Sequence, residues 1–198
     1  MAEQQAPITA PIRRGPLDGR APVTADGVSL TLPAFAGKLV LRGGSDDGAF
    51  TAAAAKVLGA GLPLAPNTAA RGPRGLALWL GPTEWMVHVD ADTCDALAAE
   101  LTAAFAGLHA AVVDVSDYYA VMRLGGPRAR DVLAKGCPLD LHPDRFDVDH
   151  CAQTRFVASA ILLHQVDVGP TYDIQVRWSF ADFLWTYLAD AMREFTSR

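Results

Sequence analysis

An α+β fold, with largely antiparallel sheets and flanking helices, is what the sequence predicts. Three observations carry it. Apolar and β-branched segments come in neighbouring pairs joined by tight turns, as at 76–80 and 84–89 around Gly81-Pro82. Helical segments are few and separate groups of strands. The order then reads strand, helix, two strands, helix, strand, followed by strand, helix, three strands, helix. This describes two βαββ-type units, about 38–117 and 118–198, and not the βα alternation of a doubly wound fold.

The elements follow from local chemistry. Residues 1–27 are rich in Pro and Ala. Pro7, Pro11, Pro16 and Pro22 fix φ and lack donors, so an extended arm is expected there, with one domain over 28–198. Such an arm either trails freely or straps onto a partner. Residues 38–42 form an apolar strand ended by Gly43 and Gly44. Asp46 or Asp47 caps an Ala-rich helix over 48–58, which stops at Gly59. Two prolines, Pro63 and Pro66, make 62–67 an extended loop. After the hairpin comes a helix over about 92–105, with Cys94, Leu97, Leu101 and Phe105 on one face. Strands are expected at 111–115 and 119–124, and a helix over 127–135 between Pro127 and Gly136. Residues 139–150 are polar and irregular, and 152–158, 161–166 and 172–178 read as strands. The last helix places Phe180, Phe183, Leu184, Tyr187, Leu188, Ala191, Met192 and Phe195 on one stripe. Ser179 with Asp182 has the spacing of a capping box.

Composition excludes several function classes. The chain has 198 residues, of which 51% are hydrophobic and 20% charged, which is ordinary for a globular protein. Its net charge of −5 is a poor basis for binding a phosphate backbone. No apolar run approaches the roughly 20 residues that span a bilayer. Residues 1–20 lack the layout of a signal peptide, so a cytoplasmic location is expected. Three cysteines, Cys94, Cys137 and Cys151, without a Cys-x-x-Cys pair, give no disulfide framework.

No segment carries a convincing catalytic motif. Gly43-Gly44-Ser45-Asp46-Asp47-Gly48 lacks both nucleotide-loop spacings, and its two aspartates would repel a phosphate. Cys137, His142, His150 and Cys151 do not have the spacing of a zinc set. There is no Gly-x-Ser-x-Gly elbow. Asp114, Ser116 and Asp117 are the residue types of a side-chain-bonded turn. Arg123, Arg128, Arg130 and Lys135 form a local basic cluster. Trp185 falls off the apolar stripe of the last helix, and an exposed Trp favours an interface. Trp178, Tyr118 and Tyr119 add aromatic surface at strand ends. Tyr118, Tyr119, Arg123, Arg128, Trp178 and Trp185 are therefore the candidate interface residues, in a chain that reads as a subunit more than as a free-standing enzyme.

Several stretches together resemble a known family. They are Leu78-Trp79-Leu80-Gly81-Pro82-Thr83-Glu84-Trp85, Asp114-Val115-Ser116-Asp117, Arg123-Leu124 with Gly126-Pro127-Arg128-Ala129, and the run from Val132 through Gly136-Cys137-Pro138 to Leu141. His150-Cys151-Ala152-Gln153-Thr154 and the run from Arg177-Trp178 to Leu184-Trp185 continue the likeness. The chain, from about Lys38 onward, resembles the gamma subunit of heterotetrameric sarcosine oxidase. The resemblance implies a folate-binding-domain-like fold related to the aminomethyltransferase of the glycine cleavage system. Lys135-Gly136-Cys137 is also similar to a motif of folate-dependent tRNA-modification proteins, but Pro138-Leu139-Asp140 stands where a Gly-Gln pair should follow.

The resemblance implies alpha, beta and delta subunits as partners. It implies an assembly that oxidises sarcosine to glycine, reduces oxygen to hydrogen peroxide and passes a one-carbon unit to tetrahydrofolate. FAD, FMN and NAD are implied for the larger subunits and zinc for the smallest, with no cofactor and no catalytic residue in this chain. The aminomethyltransferase carries paired aspartates between two strands where this chain has Ser159-Ala160-Ile161-Leu162-Leu163-His164, so the carboxylate that would handle folate or amine is missing. The alternatives are a stand-alone folate-binding protein or folate-dependent aminomethyltransferase-like enzyme, and a scaffold for another oxidoreductase of the dimethylglycine type.

Overall fold

The computed structural model describes residues 14–196. The first strands are β1 (Val23–Ala25), β2 (Val28–Thr31) and β3 (Ala36–Arg42), followed by helix α1 (Gly48–Leu58). Then come β4 (Ala69–Gly72), β5 (Gly75–Gly81), β6 (Glu84–Asp90), α2 (Cys94–Ala104) and β7 (Ala111–Asp114). The chain finishes with β8 (Tyr119–Gly125), α3 (Ala129–Ala134), β9 (Cys151–Phe156), β10 (Ser159–Asp167), β11 (Thr171–Arg177) and α4 (Ala181–Ala191). Among the described residues every strand pairing is antiparallel. The fold is α+β, as its sequence predicts.

Two sheets result. One has the order β4-β5-β6-β3-β7, and the other β1-β2-β8-β11-β10-β9. Alternation decides what each face meets. Leu39, Leu41, Ala77, Trp85, Val87 and Val89 point to one side of the first sheet and are covered by Phe50, Ala54 and Leu58 of α1 and Leu97 and Leu101 of α2. Met122, Leu124, Ile161, Leu163, Tyr172, Ile174 and Val176 do the same on the second sheet, under α3 and α4. The opposite faces meet each other through Leu76, Leu78, Met86, Cys151 and Leu162. The order of layers is therefore helices, sheet, sheet, helices. The sheets also share backbone hydrogen bonds: Thr68 bridges His150, the Ala69 amide donates to Asp149, and the Cys151 amide donates to Asn67.

Helix α1 has the ends its sequence predicts. The Asp47 side chain accepts from the amides of Ala49 and Phe50, and Gly59 closes the helix at φ 74°, a conformation that costs a side chain but not glycine. Replacing Asp47 by Ala is expected to cost about 1 kcal/mol, read as a lower urea midpoint at unchanged slope.

Four expectations need correction. The arm does not extend to residue 27: Leu17 is 3% exposed within the core and β1 pairs with β2. Pro22 only precedes an edge strand, where its missing donor is tolerated; residues 1–13 lie outside the described part. Strand β4, inside an otherwise turn-rich stretch, was not expected from its sequence, AARG. Helix α3 starts at Ala129, two residues after Pro127, because the turn closed by the Ala129 amide on Gly126 comes first.

The fourth concerns α4. Its buried face is Ala181, Leu184, Trp185, Leu188 and Ala191, whereas Phe180 and Phe183 are 43% and 45% exposed. Two apolar stripes at helical spacing lie side by side on this helix, and the one that holds Trp185 faces the sheet. Trp185 is 2% exposed, so it is a core residue and not a surface anchor. The Ser179–Asp182 box does not form either. A 3₁₀ turn at Trp178–Phe180 leads into the helix without a side-chain cap.

Candidate functional site

Where the two sheets face each other, one part of the contact is apolar and another is polar and open. The polar part is a cleft of about 680 Å³. Its walls include the segment 15–18, the loop 32–36, the β4–β5 turn, the end of β6, and Tyr119, Arg123, Asp173 and Trp178. The even-numbered residues of β3 and β6 and the odd-numbered residues of β8 and β11 bring Lys38, His88, Arg123 and Asp173 into it. This follows from strand alternation, since their neighbours Leu39, Val87, Met122 and Ile174 are committed to the helix-covered faces.

These four polar groups are held. Lys38 is 2% exposed, and its Nζ donates to the carbonyls of Ala36 at 2.9 Å and Ser116 at 3.4 Å, 4.6 Å above the centre of the Phe35 ring. The Ser116 hydroxyl accepts from the Lys38 amide and donates to Asp114 Oδ1, which also accepts from the Ser116 amide. Asp114 and Ser116 thus form the side-chain-bonded turn their types suggest, and that turn locks the lysine strand. Arg123 donates through Nε and Nη2 to both oxygens of Asp173, at 2.7 and 2.8 Å. That pairing raises the guanidinium's pKa and keeps it charged.

His88 Nε2 lies 2.7 Å from Gln175 Oε1 across the sheet interface. Burial is the main cause that pushes its pKa down to about 4; Gln175 and Asp173 oppose the shift, while Lys38 and His164 add to it. His88 is therefore neutral at pH 7, and it donates to the amide oxygen. His164, on β10, is 2% exposed, and its pKa is lowered by the same desolvation. Its Nε2 is 3.8 Å from Asp149.

The chemistry of this arrangement is that of holding. His88 bonds an amide, Lys38 two carbonyls, and Arg123 a carboxylate. The thiol of Cys151 is fully buried and pushed up to about 11 by burial, so it stays protonated. Cys137 is raised for the same reason. Among the described residues no three His, Cys, Asp or Glu side chains converge as a metal-holding group. Cys137 and Cys151 lie in different core clusters, and His142 is exposed. No described helix is long and apolar enough to cross a membrane.

The sequence-predicted interface residues divide. Tyr119, Arg123 and Trp178 line the cleft. Tyr118 is 48% exposed and lies T-shaped on Tyr119, 4.8 Å between ring centres, with the Arg177 guanidinium over its ring at 5.5 Å from the centre. Arg128 is elsewhere: exposed beside Asp131, it stacks over Phe195, and its amide bonds Gly27. Trp185 is in the core. Sequence reading missed Lys38, His88 and Gln175. Their signal was present: each is one polar residue set among apolar ones, as in Val87-His88-Val89 and Ile174-Gln175-Val176.

Comparison with known proteins gives a consistent result. Residues 42–194 match the family described as "Sarcosine oxidase, gamma subunit family". A sarcosine oxidase subunit gamma from Corynebacterium sp. (strain P-1) is 37% identical over 192 residues, which are 94% of this chain and 93% of that one. The same subunit from Arthrobacter sp. is 36% identical over the same shares. Among solved structures, a chain of heterotetrameric sarcosine oxidase from Corynebacterium sp. U-96, in complex with pyrrole 2-carboxylate, superposes with a TM-score of 0.85. Its identity is 32%, covering 94% of this chain and 97% of that one. The glycine cleavage system aminomethyltransferase T from Bartonella henselae superposes with a TM-score of 0.60 at 15% identity, over 82% of this chain and 45% of that one, a likeness of fold alone.

Proposed function

Since the chain belongs to the sarcosine oxidase gamma subunit family, we propose that it serves as the gamma subunit of a heterotetrameric sarcosine oxidase and acts in assembly, not in chemistry. The observation that carries this reading is the superposition, over nearly the whole of both chains, on a chain of heterotetrameric sarcosine oxidase. The reaction of the assembly is oxidation of sarcosine to glycine. Oxygen is reduced to hydrogen peroxide, and the one-carbon unit is passed to tetrahydrofolate. FAD, FMN and NAD belong to the larger partners, alpha and beta being among the three with delta, and zinc to the smallest. The assembly is cytoplasmic.

Two features of this chain support a non-catalytic part. Strand β10 bears no Asp or Glu before Asp167, and its one imidazole is buried at the sheet interface. The exposed carboxylate of that strand, Asp167, stands only at its last position, so general acid–base work along the rest of the strand has no exposed group to do it. Second, Lys38, His88, Arg123 and Asp173 in the cleft are each hydrogen-bonded within this chain in arrangements that fix position. Tyr118, Tyr119, Arg123 and Trp178 supply contact surface around the cleft, and Arg128 supplies it on another side.

Co-expression of all four subunits, with and without this chain, tests the reading. Omitting the chain is expected to abolish or strongly reduce recovery of the flavin-containing assembly. Recovery and sarcosine turnover that stay unchanged without it would overturn the proposal, as would aminomethyl transfer to tetrahydrofolate by the purified chain alone.

A further inference from the structure

The cations around the cleft between the sheets are largely committed within this chain. Arg74 donates to both oxygens of Glu100, Arg123 to both oxygens of Asp173, and Lys38 to two backbone carbonyls. Arg71 shares the wall with Asp18 and Asp90. What the cleft still offers is apolar surface: Leu32 and Phe35, 38% and 42% exposed, with Tyr119 and Trp178 on the wall. We propose that residues 6–12 of this same chain, which lie outside the described part, dock in the cleft as an uncharged, proline-bearing segment and cover that surface. The inference goes beyond the assembly reading and concerns the chain itself.

Three observations carry it. The first is where the described chain begins. Gly15, Pro16, Leu17 and Asp18 belong to the cleft wall, and Leu17 is anchored in the core at 3% exposure. The residues before Arg14 are therefore tethered at the cleft, and a short tether holds a segment at an effective concentration in the millimolar range. The second is reach. An extended, proline-type chain advances by about 3.1 Å per residue, so residues 1–13 are long enough to span roughly 40 Å, several times the ~10 Å between packed sheets. The third is chemistry. Residues 6–12 read Ala-Pro-Ile-Thr-Ala-Pro-Ile. Pro7 and Pro11 fix φ beforehand, which lowers the entropy lost on docking. Proline-bearing segments on aromatic-lined grooves are a recurring mode of recognition. Ile8 and Ile12 supply apolar side chains for Leu32 and Phe35, and the segment brings no charge to a site where Lys38, Arg74 and Arg123 already have partners. A small anion would leave the apolar wall bare.

The test reads how far the wall is covered. Leu32→Cys in the full chain, whose own Cys94, Cys137 and Cys151 are buried, gives one accessible thiol. It is expected to react with a maleimide at least about tenfold more slowly than in a chain that also carries Ile8→Asp and Ile12→Asp, the protection a tethered segment confers. Leu64→Cys, 54% exposed and outside the cleft, is the control for folding, and its rate should not change with the two aspartates. Equal rates at position 32 with and without them overturn the proposal. A second arm leaves residues 1–13 unaltered. With Phe35 replaced by the photo-reactive p-benzoylphenylalanine, a mixture of isotope-labelled and unlabelled full chains is irradiated. Position 35 is expected to join the peptide 1–13 of its own chain, both alone and in the co-expressed four-subunit complex. Links that pair labelled with unlabelled chain put a second copy in the cleft, and links to another subunit put a partner there. Either result overturns the proposal, as does the absence of any link to residues 1–13.

Discussion

Replacing Trp185 by Ala is expected to destabilise the chain by about 3–5 kcal/mol, the cost of removing a large aromatic from a packed core. The indole is 2% exposed in a cluster with Leu184, Leu188 and the β8, β10 and β11 side chains that α4 covers. Its loss leaves a cavity that neighbouring Leu side chains fill only in part. Equilibrium urea unfolding of the purified chain should show a lower midpoint at nearly unchanged slope. Trp185→Phe keeps most of the volume and should lose less. Any weakening of the complex should then follow from the fraction of chain unfolded. Unaltered urea unfolding of Trp185→Ala, together with weaker assembly, would return Trp185 to the interface.

Acidification is expected to cost the folded chain up to about 3 kcal/mol through His88 alone. Its pKa in the fold is about 4, against about 6.5 for the free side chain. Between those two values the unfolded chain binds a proton that the folded chain refuses, so falling pH favours unfolding. The contribution is fully present above about pH 6.5 and is lost as pH falls toward 4. His164, lowered by burial as well, acts in the same direction. Urea midpoints measured at pH 7 and pH 4.5 should differ markedly in the wild type and by clearly less in His88→Gln, which retains an amide opposite Gln175. Equal pH dependence in the two proteins would show that the imidazole is not held neutral at the sheet interface.

What was legible in the sequence was whatever depended on local chemistry. Asp47 and Gly59 bound α1 because caps are local devices, and Cys94, Leu97 and Leu101 face the core because one stripe dominates α2. The α+β architecture and the order of the helices and of most strands along the chain followed from turns and alternation, whereas β1 and β2 went unpredicted. Strand β4 escaped because AARG has no alternation and becomes a strand only by pairing with β5. The orientation of α4 was misread because two stripes compete there, and the choice is made by the sheet beneath. The cleft was only half legible. Its aromatics and Arg123 stood out as surface candidates, whereas Lys38, His88 and Gln175 sat within apolar runs and acquire meaning only when two sheets are laid face to face.

The backbone hydrogen bonds around Thr68 and His150 have a consequence for how the chain can be divided. Each sheet has its own helices and its own apolar cluster, the usual marks of separable modules. Yet residues 67–69 and 149–151 draw part of their backbone pairing from one another. Cutting the chain between the sheets would strand those amides and carbonyls and expose Leu76, Leu78, Met86 and Leu162 together. The two halves should therefore melt as one cooperative unit, and neither is a fragment that would persist by itself.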